Sequence, residues 1–399
     1  MTDSDTGTER LVCPTTNRGL SLVPLAEAEA RVAGGRPLTA RRRGPVPPVG
    51  PTPLVLVRED DACAYPFVDG TAILLGPERL ADDHEPEIGD LSDRRYAEAY
   101  QEMAFYDEVA SRDEVDETAR ELIRATDAAR QGRGGETSPP WPHRAWIDAT
   151  FEPAAQWDAF QHLAPMADKT LAQLGGKGVQ AVKFLLAGAA EAWLVTPMLG
   201  EIDFARRLAR HVGVSRRFRA VVAVAEELPF PDGSLDAMYA GSTAHHMITE
   251  LAFREVARVL GPGGRFAAVE PWKAPFYNLG IAVFGKRESV GCRPMTAERA
   301  APLGEAFEAT EIVHHGALSR YPLLGLSKLG VPIGLPVVSA ITRVDDAVCS
   351  VIPRFRQTGS SAALLAIGGR PQPRSGAATL DGDPRSPMRI PGPSGGGDT

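Results

Sequence analysis

The octapeptide LAQLGGKG, residues 171–178, joins an apolar run to the helix-like run VQAVKFLLAG at 179–188. Glycine adopts positive φ angles readily and lets a backbone come close to a ligand. A glycine turn that follows a strand and opens a helix is typical of nucleotide-binding α/β folds, although such a loop alone is a weak signal. The sequence around the loop therefore has to identify the fold.

Segments typical of strands and helices alternate along the chain after this loop. In order they read EAWLVT, EIDFARRLARHVG, RAVVAV, LDAMYA, MITELAFREVARVL and RFAAVE. This alternation predicts right-handed βαβ units, and so an α/β fold with helices on both faces of a parallel sheet. Two more strands are predicted in TEIVHHGALSR at 310–320 and in SSAALLAIG at 360–368.

Length and composition indicate a globular protein. The 399 residues are 43% hydrophobic and 24% charged, which fits two domains with tails. The net charge of −8 argues against general nucleic-acid binding, and the basic run at 40–43 is interpreted as a solvated loop. No apolar run is suited to a membrane span, so we expect no membrane partner.

The cysteines and the N-terminus bear on the compartment. The four cysteines form no CxxC pair, and the first ten residues are polar and unlike a signal peptide. Both features predict reduced thiols in a cytoplasmic protein. The four residues are Cys13, Cys63, Cys292 and Cys349.

Composition changes divide the chain into four parts. Residues 10–80 are predicted to form a small α+β domain, and residues 81–150 a helical linker or cap. Residues 151–368 hold the α/β domain, with a helical insertion at 322–353 whose apolar faces are expected to pack in the core. A lid over a hydrophobic substrate is the alternative for that insertion. Residues 369–399 are rich in Pro, Gly and Ser, which predicts a disordered tail.

Two further motifs accompany the glycine loop. LPFPDGS occupies residues 228–234, and LGPGG at 260–264 ends a helix before the next strand. Together with the loop, they resemble the class I S-adenosylmethionine-dependent methyltransferases of the ubiquinone/menaquinone type over about residues 165–270. The resemblance implies a Rossmann-like sheet and S-adenosyl-L-methionine as methyl donor. It also implies that the donor lies against Gly175, Gly176 and Gly178.

The N-terminal part carries a second resemblance. LVCP at 11–14 and AYPFVDGTAILL at 64–75 look like the small zinc-ribbon-like domain that activates some methyltransferases. In that family two cysteine pairs hold zinc, whereas Cys13 and Cys63 have no companion at the matching spacing. Tetrahedral zinc needs four ligands, so we predict no metal. The domain would then be structural, face the substrate, or dock a partner protein.

The sequence departs from the methyltransferase pattern at three acidic positions. The resemblance places these acids at the methionine end, at the ribose and at the adenine of the donor. This chain has Gln173, Thr196 and Val224 there. Each lost hydrogen bond to a charged group weakens binding by roughly 1.5–3 kcal/mol, so the losses together predict an affinity about 10²–10⁴-fold lower. The donor site is therefore interpreted as degenerate.

Neighbouring residues offer partial replacements. Glu201 follows Thr196 by five residues, and Ala225 and Glu226 follow the adenine position. Lys177, inside the glycine loop, would disfavour the sulfonium of the donor unless it points to solvent. Tyr106 resembles the aromatic segment that precedes the core in such enzymes and closes over the donor, with a core tyrosine as the alternative.

Candidate catalytic residues follow two predicted strands. His245 and His246 come after the fourth strand of the α/β domain, and Glu270 closes the fifth. The carboxyl ends of such strands form the ligand-binding edge, and histidine suits general-base chemistry near neutral pH. The resemblance gives His246 the alternative task of shaping the donor pocket. Glu270 can act as a base, bind a substrate amine or equally cap nearby backbone amides.

Three functions remain open on the sequence. The first is methyl transfer from S-adenosyl-L-methionine to a small, apolar metabolite. In the second, the same fold catalyses a cyclisation, elimination or rearrangement without the donor. In the third, the chain is a non-catalytic scaffold whose residues 10–80 bind a partner enzyme.

Overall fold

The computed structural model describes residues 7–35, 53–61, 63–75, 113–131, 141–147, 152–275, 277, 293–329, 331 and 334–371. Tyr106, Cys292, the basic run at 40–43 and all but three residues of the predicted tail lie outside these ranges.

The described part of the chain contains eleven strands. They are β1 Leu20–Pro24, β2 Leu54–Arg58, β3 Ala64–Val68, β4 Thr71–Ile73, β5 Thr170–Leu174, β6 Glu191–Thr196, β7 Phe218–Val222, β8 Ala237–Gly241, β9 Arg265–Pro271, β10 Phe307–His315 and β11 Ser361–Gly369.

The helices lie mostly between these strands. They are α1 Leu25–Ala33, α2 Asp116–Gln131, α3 Pro153–Leu163, α4 Val179–Leu186, α5 Leu199–His211, α6 Thr249–Leu260, α7 Ala297–Ala306, α8 Arg320–Lys328, α9 Leu335–Val351 and α10 Pro353–Arg356.

One sheet contains all eleven strands. Its core has the order β7-β6-β5-β8-β9-β11-β10, in which only β11 runs antiparallel to its neighbours. The predicted α/β fold is therefore confirmed. The strand order reverses at β5, because β6 lies on one side of it and β8 on the other. Ligands of open α/β sheets bind at such a reversal, outside the carboxyl ends of the strands.

Two hydrophobic clusters cover the two faces of the sheet. Neighbouring residues of a strand point to opposite faces, so Leu171 joins one cluster and Ala172 the other. Phe184 of α4 packs in the first cluster, and Phe253 of α6 packs in the second. Helices on both faces thus fix the sheet from which the site is built.

The motif LPFPDGS is held by a buried ion pair on α6. Arg258 donates to the carbonyl oxygens of Leu228 and Phe230, at 2.9 and 2.8 Å, and both Arg258 and the Leu228 amide donate to Glu255. The guanidinium also contacts the Asp232 carboxylate at 2.7 Å. The motif is therefore a structural signature of the fold.

The N-terminal strands extend the same sheet. β4 pairs in parallel with β7, and β3, β2 and β1 continue outward in antiparallel order. Arg206 of α5 reinforces this junction with hydrogen bonds to the carbonyl oxygens of Asp69 and Gly70. The predicted division at residue 80 stays a prediction, and the described residues of the N-terminal part are continuous with the core sheet.

The two helices predicted at 322–353 are present as α8 and α9, but the expected core packing of their apolar residues is wrong in part. Val337 and Val344 are 42% and 64% exposed, whereas Thr342 and Asp345 are buried. Asp345 accepts hydrogen bonds from the backbone N–H groups of Leu318 and Ser319, which turns the polar face of α9 inward. None of the helices in the described ranges is long and apolar enough to cross a membrane.

Candidate functional site

A cavity of about 230 Å³ opens at the carboxyl ends of β5, β6, β7 and β8, where the strand order reverses. Both the glycine loop and the end of β8 line it. The lining residues are Leu174, Gly175, Gly176, Val195, Thr196, Pro197, Met198, Glu201, Ala223, Val224, Ala225, Glu226, Gly241, Ser242, Thr243, His246 and Met247. Most of the residues predicted to hold a cofactor are among them.

The glycine loop is fixed by sterics. Gly175, Gly176 and Gly178 all have φ near +70° or slightly below, a region that side chains disfavour. A β-carbon at Gly175 would lie 2.6 Å from the side chain of Thr243, and one at Gly178 would lie 2.5 Å from Ala205. Glycine at these positions therefore keeps the loop in a tight shape that a larger residue would not fit.

Gln173 ties the loop to the helix behind it. Its side-chain nitrogen donates to the carbonyl oxygen of Gly175 at 2.8 Å, and its oxygen accepts from the N–H of Ala181 at 2.8 Å. The side chain is 5% exposed and does not line the cavity. The side-chain amide of Gln173 therefore holds the glycine loop in place against the start of α4.

An acid is present at the end of β6 although the strand itself ends in threonine. Glu201 lies in the first turn of α5, and its carboxylate accepts a hydrogen bond from the hydroxyl of Thr196 at 2.5 Å. The same hydroxyl accepts from the N–H of Met198 at 3.3 Å. Thr196 and Glu201 both line the cavity, so the substitute noted in the sequence lies beside the position it would replace.

The residues after β7 form the third wall of the cavity. Val224, Ala225 and Glu226 all line it, and each is less than 10% exposed. One oxygen of Glu226 accepts a hydrogen bond from the N–H of Ile248 at 2.7 Å, which anchors the start of α6. The wall thus combines apolar surface with one buried carboxylate.

Glu270 holds the turn that carries the histidines. Its two oxygens accept from the backbone N–H groups of Thr243, Ala244 and His245 at 2.9–3.3 Å. One oxygen also lies 2.7 Å from Nδ1 of His245. Glu270 is 1% exposed and does not line the cavity. Glu270 and His245 therefore do not line the cavity, and Glu270 supports the turn that carries His246.

His246 is the predicted catalytic residue that reaches the cavity. Its ring packs on that of His245 with 4.0 Å between the ring centres, and it is half-buried. Contacts from Glu270 to His245, and from the His245 ring to the His246 ring, support the His246 ring from one side. A histidine held in this way at a ligand-binding edge can accept a proton.

Lys177 points away from the cavity. Its ammonium forms an ion pair with Asp113 and lies 5.6 Å from the centre of the Phe204 ring. The cation is thereby neutralised by a carboxylate of the segment before α2. The unfavourable effect on a sulfonium that the sequence suggested is reduced by this pair.

Two residues missed from the sequence complete the rim. Ser242, directly after β8, has φ of +51°, which is uncommon outside glycine, and it lines the cavity. The hydroxyl of Thr243 donates to the carbonyl oxygen of Leu174 at 2.9 Å, so this residue closes the glycine loop from the opposite strand. Both residues closely follow a predicted strand, and that position could have placed them at the ligand-binding edge of the sheet. Serine and threonine there indicate no particular chemistry, so the sequence did not single them out.

Residues 173–268 match the sequence profile of a methyltransferase domain family. With the sheet order and the glycine-loop cavity, this match shows that the chain carries a class I S-adenosylmethionine-dependent methyltransferase domain. The matched range begins at Gln173 and ends inside β9.

Curated relatives are similar over the same region. A 122-residue stretch is 34% identical to a ubiquinone/menaquinone biosynthesis C-methyltransferase of Rubrivivax gelatinosus, covering 29% of this chain and 47% of that protein. A 132-residue stretch is 33% identical to the 27-O-demethylrifamycin SV methyltransferase of Amycolatopsis mediterranei, covering 31% and 48%. The chain spans about half the length of these relatives.

Among solved structures, the geranyl diphosphate C-methyltransferase of Streptomyces coelicolor A3(2) is 18% identical. The superposition covers 54% of this chain and 77% of that one, with a TM-score of 0.39.

Proposed function

We propose that the cavity binds S-adenosyl-L-methionine and that the domain transfers its methyl group to a small-molecule acceptor. The observation that carries the proposal is the Thr196–Glu201 pair, which returns an acid to the end of β6 inside the glycine-loop cavity. In this proposal other residues, including Glu201, form the donor site. The absence of the three usual acids then does not mean that the site is lost.

The Glu201 carboxylate suits the ribose of the donor. A carboxylate accepts several hydrogen bonds, so it can take up a pair of hydroxyl groups while Thr196 donates to one of its oxygens. The start of α5 favours the ionised acid, because the positive end of the helix dipole lies there. The 7% exposure of Glu201 keeps bulk water from competing.

The glycine loop suits the amino-acid end of the donor. Backbone N–H groups before α4 and the positive end of that helix would bind the carboxylate. Gln173 shapes this loop through Gly175 and Ala181 and does not contact the donor. Val224 and Ala225 would pack on the adenine, beside the Glu226 carboxylate.

His246 would be the acceptor-side base. The bound donor supplies an electrophilic methyl group, and the protein's task is to align the acceptor and exclude water. His246 lies at the rim of the cavity and takes the proton that the acceptor loses. Glu270 and His245 position its ring from behind.

Calorimetric titration with S-adenosyl-L-methionine and S-adenosyl-L-homocysteine tests the proposal. We expect micromolar binding of both, because Glu201 replaces one of the missing acids. No binding at millimolar ligand would overturn it.

A second function, a reaction on the same fold without the donor, is favoured by one observation. The side-chain amide of Gln173 is bonded to Gly175 and Ala181, so the acidic contact that the resemblance implies at the methionine end of the donor is missing. Absence of donor binding, together with an apolar metabolite in the cavity, would support that function. A chain that binds neither would support the scaffold interpretation.

A further inference from the structure

The outward face of α9 is apolar. Val337, Ala340, Val344, Ala347 and Val351 are all exposed and follow one another at steps of three and four residues. This spacing places them in one stripe along the helix, because an α-helix has 3.6 residues per turn. The stripe is about 20 Å long at 1.5 Å per residue.

The stripe continues into the start of α10. Ile352 and Phe355 are 45% and 42% exposed, next to Val351 at 80%. Nine of the twelve large hydrophobic side chains that are exposed in the described residues fall between positions 318 and 355, so the exposure is concentrated in one region. We call seven exposed residues of α9, α10 and the junction between them the α9 surface: Val337, Ala340, Val344, Ala347, Val351, Ile352 and Phe355.

The exposure of this stripe follows from what the helix buries. Thr342, Asp345 and Cys349 face inward, and Asp345 binds the N–H groups at the start of α8. Rotating α9 to bury the valines would carry Asp345 away from those N–H groups and leave them unpaired, which costs stability. The fold therefore holds an apolar stripe at the surface, where such patches mark interaction sites.

The charges around the stripe are basic. Residues 316–360 contain five basic and two acidic side chains, a net charge of +3 in a chain of net −8. Of the two acids, Asp345 is buried, and Asp346, whose side chain is 44% exposed, lies 3.8 Å from the ring of His315. Arg343 and Arg354 are exposed beside the stripe. An apolar stripe flanked by arginine is the pattern of helices that lie in the surface of an anionic bilayer.

Self-association fits this charge pattern poorly. A two-fold contact uses the same patch on both copies. Antiparallel pairing centred on Val344 would bring the two copies of Arg343 together, and parallel pairing would place every arginine beside its own copy. An anionic surface complements both arginines at once.

We propose that the α9 surface docks this domain on an anionic lipid bilayer, with the stripe inserted among the lipid headgroups. β10 runs parallel to β9, so its carboxyl end, which leads into α8 and α9, lies at the same edge of the sheet as the cavity. The bilayer would then face the cavity side of the domain. The expectation of no membrane partner was drawn from the lack of spanning segments alone, and the proposal replaces it with contact at the bilayer surface. The proposal does not depend on methyl transfer.

Vesicle flotation with the full chain tests it. We expect the protein to float with phosphatidylcholine vesicles that contain phosphatidylglycerol and to float much less with phosphatidylcholine alone. The double variant Val344→Ser, Val351→Ser should bind at least about tenfold more weakly, because two apolar side chains no longer enter the bilayer. Arg343→Gln and Arg354→Gln should each weaken binding about fivefold. The effect of each substitution should be smaller at high salt, because salt screens the attraction between arginine and lipid.

Ile123→Ser is the matched control, since Ile123 of α2 is exposed to 44% but lies outside the stripe. It should float like the unchanged protein, and circular dichroism should show that all variants stay folded. The proposal is overturned if the chain ignores anionic vesicles or if the control loses as much binding as the double variant. It is also overturned if the chain forms a dimer that Val344→Ser dissociates, since the stripe would then be a self-contact.

Discussion

The hydroxyl of Thr196 donates a hydrogen bond to the carboxylate of Glu201, 2.5 Å away, so the first turn of α5 delivers an acid to the end of β6. Both residues line the cavity beside the glycine loop. A carboxylate from α5 therefore lies beside the residue that ends β6, although the two residues are five positions apart in the sequence.

Replacing Glu201 with Gln should weaken the binding of S-adenosyl-L-homocysteine about 10- to 100-fold. The change removes a charged acceptor from a buried position, a loss of roughly 1.5–3 kcal/mol per hydrogen bond. Calorimetry measures the affinity. Glu250→Gln, an exposed acid at the start of α6, is the control and should leave the affinity unchanged. Equal affinities for E201Q and the unchanged protein would contradict the role of Glu201.

Restoring an acid at Gln173 should destabilise the protein. A carboxylate there would face the carbonyl oxygen of Gly175, to which the amide nitrogen now donates. We expect Gln173→Glu to lower the free energy of unfolding by about 1–3 kcal/mol and to leave donor affinity no higher. Chemical denaturation and calorimetry together check this. Tighter donor binding in Q173E at unchanged stability would show that the loop contact is dispensable.

Stability should fall as the pH rises above neutrality because of His315. Burial lowers the pKa of this imidazole, but hydrogen bonds to Asp158 and Asp346 outweigh burial and raise the pKa to about 9. Since the folded pKa lies above the unfolded value of about 6.5, the stabilisation is complete below pH 6.5 and is lost as the pH rises through 9. The contribution is about 3 kcal/mol.

Glu152, near His315, also makes the stability of the protein fall as the pH rises. Burial raises the pKa of its carboxyl to about 7, so the folded state favours the protonated acid and loses stability as the pH rises from about 4.5 through 7. Denaturation at pH 6 and pH 9.5 measures the combined loss. His315→Gln should be less stable at pH 6 and should lose little more between pH 6.5 and 9. An unchanged pH slope in H315Q would assign the dependence to other groups.

Arg258→Leu should lower the free energy of unfolding by about 3–5 kcal/mol. The substitution leaves the buried Glu255 without its cation and removes the donors to Leu228 and Phe230. Thermal and chemical denaturation report the loss. Arg254→Leu on the same helix, whose side chain is half-exposed, should cost far less. Similar losses in both variants would indicate a general effect on α6.

The fold was predictable because its signals are local. Strand and helix runs alternate along the chain, and each glycine turn marks a junction within a few residues. The helices on both faces of the sheet followed from the right-handed βαβ units, whereas the order of the strands in the sheet was not predicted. The role of LPFPDGS was less accessible, because its partners Arg258 and Glu255 lie more than twenty residues further on.

The site was predictable in position but only partly in its residues. Strand ends located Thr196, Val224 and His246, whereas contact geometry separated Glu270 and His245 from the cavity. The exposure of Val344 on α9 depended on which polar groups the opposite helix face had to bind. Such competition between the two faces of one helix leaves no mark in the pattern of apolar residues alone.

Cys13 and Cys63 illustrate the same limit. They are fifty positions apart in the sequence, yet they hydrogen-bond to one another beside Tyr65 in the hydrophobic cluster that also contains Ala172 and Phe253. Hydrogen bonds from Cys63 and neighbouring hydroxyls lower the pKa of Cys13, while the same contact raises that of Cys63. The positions of the two cysteines in the sequence predicted neither this hydrogen bond nor which of the two thiols has the lowered pKa.

The parallel pairing of β4 with β7 joins the N-terminal strands to the methyltransferase sheet within one chain. Because both strands belong to one chain, their pairing is intramolecular and its occupancy does not depend on the amount of protein in the cell. The short pairing of Ala72 and Ile73 with Val221 and Val222 can therefore remain closed without high intrinsic affinity. Two separate chains would have to bind far more tightly, or be made in matched amounts, to reach the same occupancy.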